Sequence, residues 1–390
     1  MKKDPYESHL LKPGRYYIQG SEACVEGALM AGCRVFAGYP ITPASEAMEH
    51  AARRFPQVGG RFIQMEDEIG SASVLIGASW GGTKAMTVTS SPGFSLMQEA
   101  ISIGIISETP MVIVDIQRPG PGQGYITASQ EDVLQARWGH HGEGAIIALA
   151  PASVQEMFDL TIEAFNLSEK WRTPVLVMAE EPVAHLRELL HVGERKDIEI
   201  VNRRKPQDLG IKPEEYLPWG HGEVAPMANW GDGYNVNFVG LVHKEDGNVT
   251  DWTPELNFDC TQRLLTKIEG NAKEIAPIET KFVEGSRNIV ISYGAVSRTA
   301  IEAVMEAREH NGLNLGYVRL KTLWPFPEEN LREAITEADN IFIPEMNFGM
   351  MKHPIVEALR DRCRNFVSIP SIGILHSPEH ILSRIIEESE

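Results

Sequence analysis

Four stretches of this sequence carry side chains whose type and spacing suit chemistry. The first is acidic, Glu66-Asp67-Glu68, just ahead of the small run Ile69-Gly70-Ser71-Ala72-Ser73. Acidic residues in a first helical turn are favoured by the helix dipole, so capping is one reading. A carboxylate facing a helix of small residues is also placed for burial. Burial raises its pKa and suits it to proton chemistry, and both readings stand. The second is Arg118, in Asp115-Ile116-Gln117-Arg118-Pro119-Gly120-Pro121-Gly122-Gln123-Gly124. Arginine at the end of a buried strand, before a Gly/Pro loop, can take a carboxylate or phosphate with two parallel hydrogen bonds. The alternative is a salt bridge at a domain interface. The third is Tyr39-Pro40-Ile41-Thr42-Pro43, a stiff turn after the apolar run Val35-Phe36-Ala37. It reads as strand, turn and helix start, with Thr42 as N-cap and Pro43 as first helical residue. The fourth is His140-His141 in a Gly-rich loop, where adjacent side chains point apart and do not make a two-ligand metal site.

Other chemistries are excluded. The glycines at 120, 122 and 124 do not fit G-x-G-x-x-G, and neither a P-loop nor a nucleophile elbow is present. The four cysteines, Cys24, Cys33, Cys260 and Cys363, form no C-x-x-C and read as packing residues, so the chain carries no iron–sulfur cluster or zinc site of its own. The net charge of −18 argues against nucleic-acid or anionic-membrane binding. The polar start, up to Pro13, lacks a signal-peptide core, and no apolar run of about 18 residues predicts a membrane span. A cytoplasmic protein is expected.

The elements that must position these residues alternate. Strands are expected over 34–37, 61–65, 84–89, 111–116, 145–150 and 174–179, with helices over 21–32, 44–55, 68–80, 93–107 and 153–171. Val/Ile-rich strands alternating with helices predict a parallel sheet covered on both faces, an α/β domain over 15–200. The strand over 111–116 is apolar except for Asp115. The stretch 201–287, rich in Pro, Gly, Trp and charge, reads as an irregular connecting segment with one helix over 261–269. A second α/β domain is expected over 288–390, including helices over 353–365 and from 379.

Four motifs then place the chain in a family. Tyr39 to Pro43 (YPITP), Gln64 to Glu68 (QMEDE), Ser91 to Glu99 (SPGFSLMQE) and Asp115 to Pro121 (DIQRPGP) closely resemble the α subunit of 2-oxoacid:ferredoxin oxidoreductases. Leu323 to Pro327 (LWPFP) and Pro344 to Asn347 (PEMN) continue the likeness. It is nearest to the 2-oxoglutarate type, with the branched-chain 2-oxoacid type next. The resemblance implies a parallel-sheet thiamine-diphosphate pyrimidine-type domain, followed by a smaller transketolase-C-terminal-like α/β domain.

It also implies thiamine diphosphate shared with a β subunit that holds Mg²⁺ and the pyrophosphate. [4Fe-4S] clusters would sit on partner subunits, with gamma and ferredoxin-like delta chains, ferredoxin as acceptor and coenzyme A as co-substrate. Glu68 falls on the family's cofactor glutamate. By the resemblance, its hydrogen bond to the aminopyrimidine would favour the imino tautomer, the form that would take the thiazolium proton ahead of attack on the 2-oxo carbon and loss of CO2. Thr42 and Arg118 fall on the substrate-binding threonine and arginine. Tyr39, Pro40, Ile41, Gly93 and Phe94 fall on cofactor-binding positions. Pro119 stands where relatives carry glycine, which bears on substrate choice.

Gly231-Asp232-Gly233 with Asn257 superficially matches the Mg²⁺–pyrophosphate pattern of thiamine diphosphate enzymes. Its lead-in is not an apolar strand and its sequel alternates like one, so no metal ligand is assigned. A non-catalytic assembly scaffold is the competing reading from another class.

Overall fold

The computed structural model describes residues 7–389, so the first six residues of the expected polar arm lie outside the described residues. The first half runs β1 (Gly14–Gln19), α1 (Gly20–Met30), β2 (Val35–Gly38), α2 (Ser45–Arg54), β3 (Arg61–Gln64), α3 (Glu68–Trp80), β4 (Ala85–Thr89), α4 (Ser91–Leu96), α5 (Gln98–Ile106), β5 (Met111–Gln117), α6 (Val133–Trp138), β6 (Ile147–Leu149), α7 (Val154–Trp171) and β7 (Pro174–Glu180). After a short helical turn comes β8 (Arg187–Val192). The second half adds β9 (Ile278–Lys281), β10 (Asn288–Tyr293), β11 (Leu315–Leu320), β12 (Thr322–Trp324), β13 (Ala338–Glu345) and β14 (Cys363–Pro370).

The larger sheet has seven strands, ordered β12-β6-β7-β5-β4-β2-β3, and every pairing except that of β12 is parallel. Its apolar strands are buried on both faces because side chains alternate along a strand. Val112 and Val114 of β5 pack with Phe36 beneath α1, α2 and α7, among Ala23, Leu29 and Phe158. Ile113, between them, faces the opposite side with Leu75 and Trp80 of α3 and Ile101 of α5. This is the parallel sheet covered on both faces that the pattern predicts.

Several elements differ from the sequence reading. β1 and β8 form an antiparallel ribbon beside the main sheet. Only Ile18, Leu190 and Val192 of it are buried, too few to give an apolar signal. The helix expected over 93–107 is two helices that break at Met97. The helix expected over 353–365 ends at Leu359, and the polar stretch after it becomes β14 instead. Inside the stretch read as irregular, a helix spans Pro254–Glu269 and β9 pairs antiparallel with β11. The smaller sheet is thus five-stranded, ordered β14-β13-β10-β11-β9.

The Pro254–Glu269 helix is fastened to the first domain by charge. Fully buried Glu108 lies 2.7 Å from Lys267 Nζ and 2.7 Å from Arg263 Nη1. Burial alone pushes the Glu108 carboxyl up, but Lys267 and Arg263 outweigh it and hold it at about 2, below its ordinary 4.5. A depressed carboxyl stabilises the fold above the unfolded value, and that stability is lost as pH falls toward the folded value. Glu108→Gln leaves Lys267 buried without its counter-charge. The expected cost is on the order of 3 kcal/mol at neutral pH. It is read as a lower denaturation midpoint, and the gap to the natural chain shrinks as pH falls from 4.5 toward 2.

Candidate active site

In a parallel sheet all strand C-termini open on one edge, and their loops share a crevice. The order β5-β4-β2-β3 therefore lines up Arg118, Ser90-Ser91, the 39–44 turn and Glu68 along that edge.

The acidic triplet divides its duties. Asp67 is the N-cap of α3, its Oδ1 accepting the Gly70 N–H at 2.7 Å. Glu68, the first residue of α3, is only 5% exposed. Among the described residues no donor reaches its carboxylate. The helix dipole favours a negative charge at this end, so the fold tolerates the carboxylate without a partner. Gly93 of α4 lies directly against it. A Cβ there would meet Glu68 Oε1 at 2.4 Å and Thr89 Oγ1 at 2.3 Å, so no other residue fits without a shift. The Thr89 and Ser90 hydroxyls beside this contact are buried and have no partner among the described residues, and Phe94 is fully buried beneath it.

The 39–43 turn corrects one expectation. α2 starts at Ser45, its N-cap is Ala44, and no side chain caps it. Thr42 is therefore not the N-cap, and Pro43 is not the first helical residue. The physical reason is a tight turn inserted before the helix, in which Ala44 N–H donates to Ile41 O at 2.8 Å. The Thr42–Pro43 peptide is cis. Tyr39, Pro40 and Thr42 are exposed along the edge, while Ile41 packs partly against the core.

Arg118 ties this turn to the loop that follows β5. Its Nη1 donates to Thr42 O at 2.7 Å and its Nη2 to Gln123 Oε1 at 2.8 Å. Its Nε is buried without a partner, and the whole residue is 7% exposed. Among the described residues no carboxylate forms an ion pair with it, so the interface salt bridge is not what holds it. The edge presents a buried cation and a buried anion, neither of them neutralised by direct contact.

Three further residues behind Arg118 were not singled out from the sequence. Ser91 Oγ accepts the Arg118 N–H at 3.0 Å, lies 2.9 Å from Arg118 O, and contacts Asp132 Oδ2. Asp132 in turn neighbours fully buried Asp115. Only Asp115 left a trace, as the lone charge in an apolar strand.

The remaining candidates lie elsewhere. His140 and His141 line a groove of about 750 Å³ with Glu99, Ser102, Asn257 and Phe258, which no residue of the sheet edge reaches. Burial holds the His140 imidazole below its ordinary pKa. Asp232 accepts the Asn229 N–H at 2.8 Å and faces Lys205, whereas Asn257 sits in the groove with His140. The last two motifs lie at the seam between the sheets. Trp324 Nε1 donates to Val133 O at 2.7 Å as β12 joins the larger sheet, and Asn347 Nδ2 donates to Gln130 O at 2.7 Å.

Known proteins resemble this chain over both of its domains. Residues 26–257 match the family described as "Pyruvate flavodoxin/ferredoxin oxidoreductase, thiamine diP-bdg". Residues 287–379 match "Pyruvate:ferredoxin oxidoreductase core domain II". The chain is 48% identical to the 2-oxoglutarate synthase subunit KorA of Methanocaldococcus jannaschii, over 94% of this chain and 97% of that one. It is 35% identical to the ketoisovalerate oxidoreductase subunit VorB of Methanothermobacter thermautotrophicus, over 91% and 92%. The structure of a 2-oxoglutarate:ferredoxin oxidoreductase from Magnetococcus marinus, with 2-oxoglutarate, coenzyme A and succinyl-CoA bound, superposes with a TM-score of 0.89 at 29% identity. The match covers 96% of this chain but 65% of that longer one. No helix among the described residues is long and apolar enough to cross a membrane. With both domains matched in order and the curated relatives covered almost end to end, the chain belongs to the 2-oxoacid:ferredoxin oxidoreductase family as an α subunit.

Proposed function

We propose that this chain supplies the aminopyrimidine side of a thiamine diphosphate site and the substrate carboxylate site of a 2-oxoglutarate:ferredoxin oxidoreductase. The reaction converts 2-oxoglutarate and coenzyme A to succinyl-CoA and CO2, with two electrons leaving singly to ferredoxin. One observation carries the reading: Glu68 and Arg118, both buried and both without an ionic partner among the described residues, stand on the same strand edge with Thr42 between them.

The residues present fit the cofactor. A buried carboxylate without a donor suits the protonated edge of an aminopyrimidine. The Gly93 cradle and the unpartnered Thr89 and Ser90 hydroxyls leave polar, uncrowded contacts beside it. When bound, thiamine diphosphate supplies the electron sink for decarboxylation. Glu68 would hold the ring by a charge-assisted hydrogen bond, and Tyr39, Pro40, Ile41 and Phe94 would flank it. Thr42, whose hydroxyl caps no helix, is free to donate to the oxo or carboxylate oxygen. Arg118 would exchange its Gln123 contact for a substrate carboxylate, a geometry that the guanidinium fork matches.

The rest of the machinery belongs to partners. A β subunit would carry Mg²⁺ and the pyrophosphate contacts, and [4Fe-4S] clusters would sit on other chains, among them gamma and delta subunits. Burial pushes the Cys24 and Cys33 thiols up to about 12, which suits packing rather than cluster ligation. The higher identity to the 2-oxoglutarate relative favours that substrate over the branched-chain one.

The test is an assay of the co-expressed complex for reduction of a low-potential acceptor across a 2-oxoacid panel. The highest kcat/KM is expected with 2-oxoglutarate, and only with thiamine diphosphate and coenzyme A present. Preference for 2-oxoisovalerate would move the chain to the branched-chain type. An intact complex without thiamine-dependent turnover would leave only the scaffold reading.

A further inference from the structure

Arg118 is held by its main chain as well as by its guanidinium, and behind the serine that holds the main chain stands an acidic pair. The Ser91 hydroxyl accepts the Arg118 N–H and also lies within hydrogen-bond reach of Arg118 O and of Asp132 Oδ2. It has one proton to donate, so it serves the carbonyl or the carboxylate, not both. Asp132 neighbours Asp115, whose two oxygens are buried and have no hydrogen-bond partner among the described residues. Two carboxyls in such contact are bonded only if they share a proton. Neither residue has been given a role by the reading of the edge above.

We propose that Asp115 and Asp132 are positioning residues for Arg118: a proton shared between them and passed on through the Ser91 hydroxyl orients the arginine and couples 2-oxoacid binding to the charge of the pair. The inference rests on the reading that Arg118 takes the substrate carboxylate. It adds that an acidic pair stands two hydrogen bonds behind the arginine's main chain, through the Ser91 hydroxyl.

The sign follows from the surroundings. Burial, and then Asp132, push the Asp115 carboxyl far up, so of the two it is the one that holds the shared proton more tightly. Burial pushes Asp132 up to about 6; the Ser91 and Asp115 hydrogen bonds and Arg118 oppose this, and Glu131 adds to it. Above that value the pair carries one negative charge and draws the Ser91 proton in a charge-assisted bond, leaving the oxygen oriented to accept Arg118 N–H. Below it the pair is neutral, Ser91 is held by neutral bonds alone, and Arg118 loosens.

In the assembled holoenzyme, KM for 2-oxoglutarate is expected to rise about five-fold as pH falls through 6, the difference between a charged and a neutral hydrogen bond. The change falls on KM more than on kcat. Asp132→Asn should hold KM at the higher value with no step between pH 5.5 and 8, while Asp115→Asn, which still offers Asp132 a donor, keeps the step. If Asp132→Asn does not assemble with its partners, Ser91→Ala gives the same reading: KM several-fold higher and flat with pH. A variant of Asp132 or Ser91 that keeps both the low KM and the step overturns the proposal. Arg118→Ala run alongside separates the two ideas. If it raises KM while the Asp132 and Ser91 variants do not, the substrate role of Arg118 stands and this inference alone fails.

Discussion

Glu68→Gln, introduced into the α chain of the assembled complex, is expected to lower turnover by about 10²–10⁴-fold while leaving the complex intact. The argument is local. Glutamine keeps the volume of a side chain that is 5% exposed and wedged against Gly93. The N-cap of α3 is Asp67, which the substitution does not touch. What goes is the negative charge, and with it the charge-assisted hydrogen bond that would polarise the aminopyrimidine. Among the described residues nothing pairs with that carboxylate, so removing its charge breaks no contact of the fold and the thermal midpoint should hold. Stability kept with activity lost separates a functional carboxylate from a structural one. The measurement is 2-oxoglutarate-dependent reduction of a low-potential acceptor at saturating thiamine diphosphate, with calorimetry of the same preparation. Turnover within ten-fold of the natural enzyme would remove Glu68 from the chemistry.

The parts legible in the sequence are those set by short-range pattern. A glutamate followed by small residues signals close approach, and the structure meets it with a glycine of α4 at contact distance. The buried strands β5 and β7 read correctly because both their faces are apolar, apart from Asp115 and the polar residues that end them. The Thr42-Pro43 start of α2 misled because local propensity favoured a cap, whereas tertiary structure turns the chain first and hands the Thr42 carbonyl to Arg118. β12 has three residues, and its partner β6 lies in the other domain's sequence, so no local pattern could reveal it. β9 and β14 failed for a related reason: one is a mostly exposed edge strand and the other alternates with polar side chains.

The acid pair shows where motif reading stops. Asp115 announces itself by standing alone among Met111, Val112, Ile113, Val114 and Ile116. Nothing in the sequence says that Asp132 and Ser91, each more than ten positions away, meet it beneath Arg118. That meeting depends on β4 and β5 being neighbours with parallel ends, a fact of topology. The same topology sets an acidic pair behind an arginine that has no ion pair among the described residues, with a hydroxyl from the adjacent strand's helix between its main chain and the nearer carboxyl.

Arg118→Ala is the second large effect, and the structure sharpens how it must be measured. Truncating one member of a desolvated, hydrogen-bonded charge pair costs about 2–5 kcal/mol, or roughly 30-fold to several thousand-fold in affinity. The loss should fall first on KM for the 2-oxoacid. Alanine also releases Thr42 O and Gln123 Oε1, so some loss of kcat is expected as the turn relaxes. Arg118→Lys divides these contributions. Lysine restores the charge as a single point donor, which recovers long-range attraction but not a two-pronged grip on a carboxylate while Thr42 O is held. The expected order of KM is natural enzyme, then lysine, then alanine, with kcat varying less across the three. The two variants must be compared on 2-oxoglutarate and on the corresponding 2-oxoaldehyde, which lacks the α-carboxylate. If Arg118 grips that group, the natural enzyme and the alanine variant bind the aldehyde alike and differ only on the acid. If instead KM for the acid is unchanged in the alanine variant, Arg118 serves only to bolt the 39–44 turn to the loop after β5, and the substrate carboxylate must be held by another group on the edge.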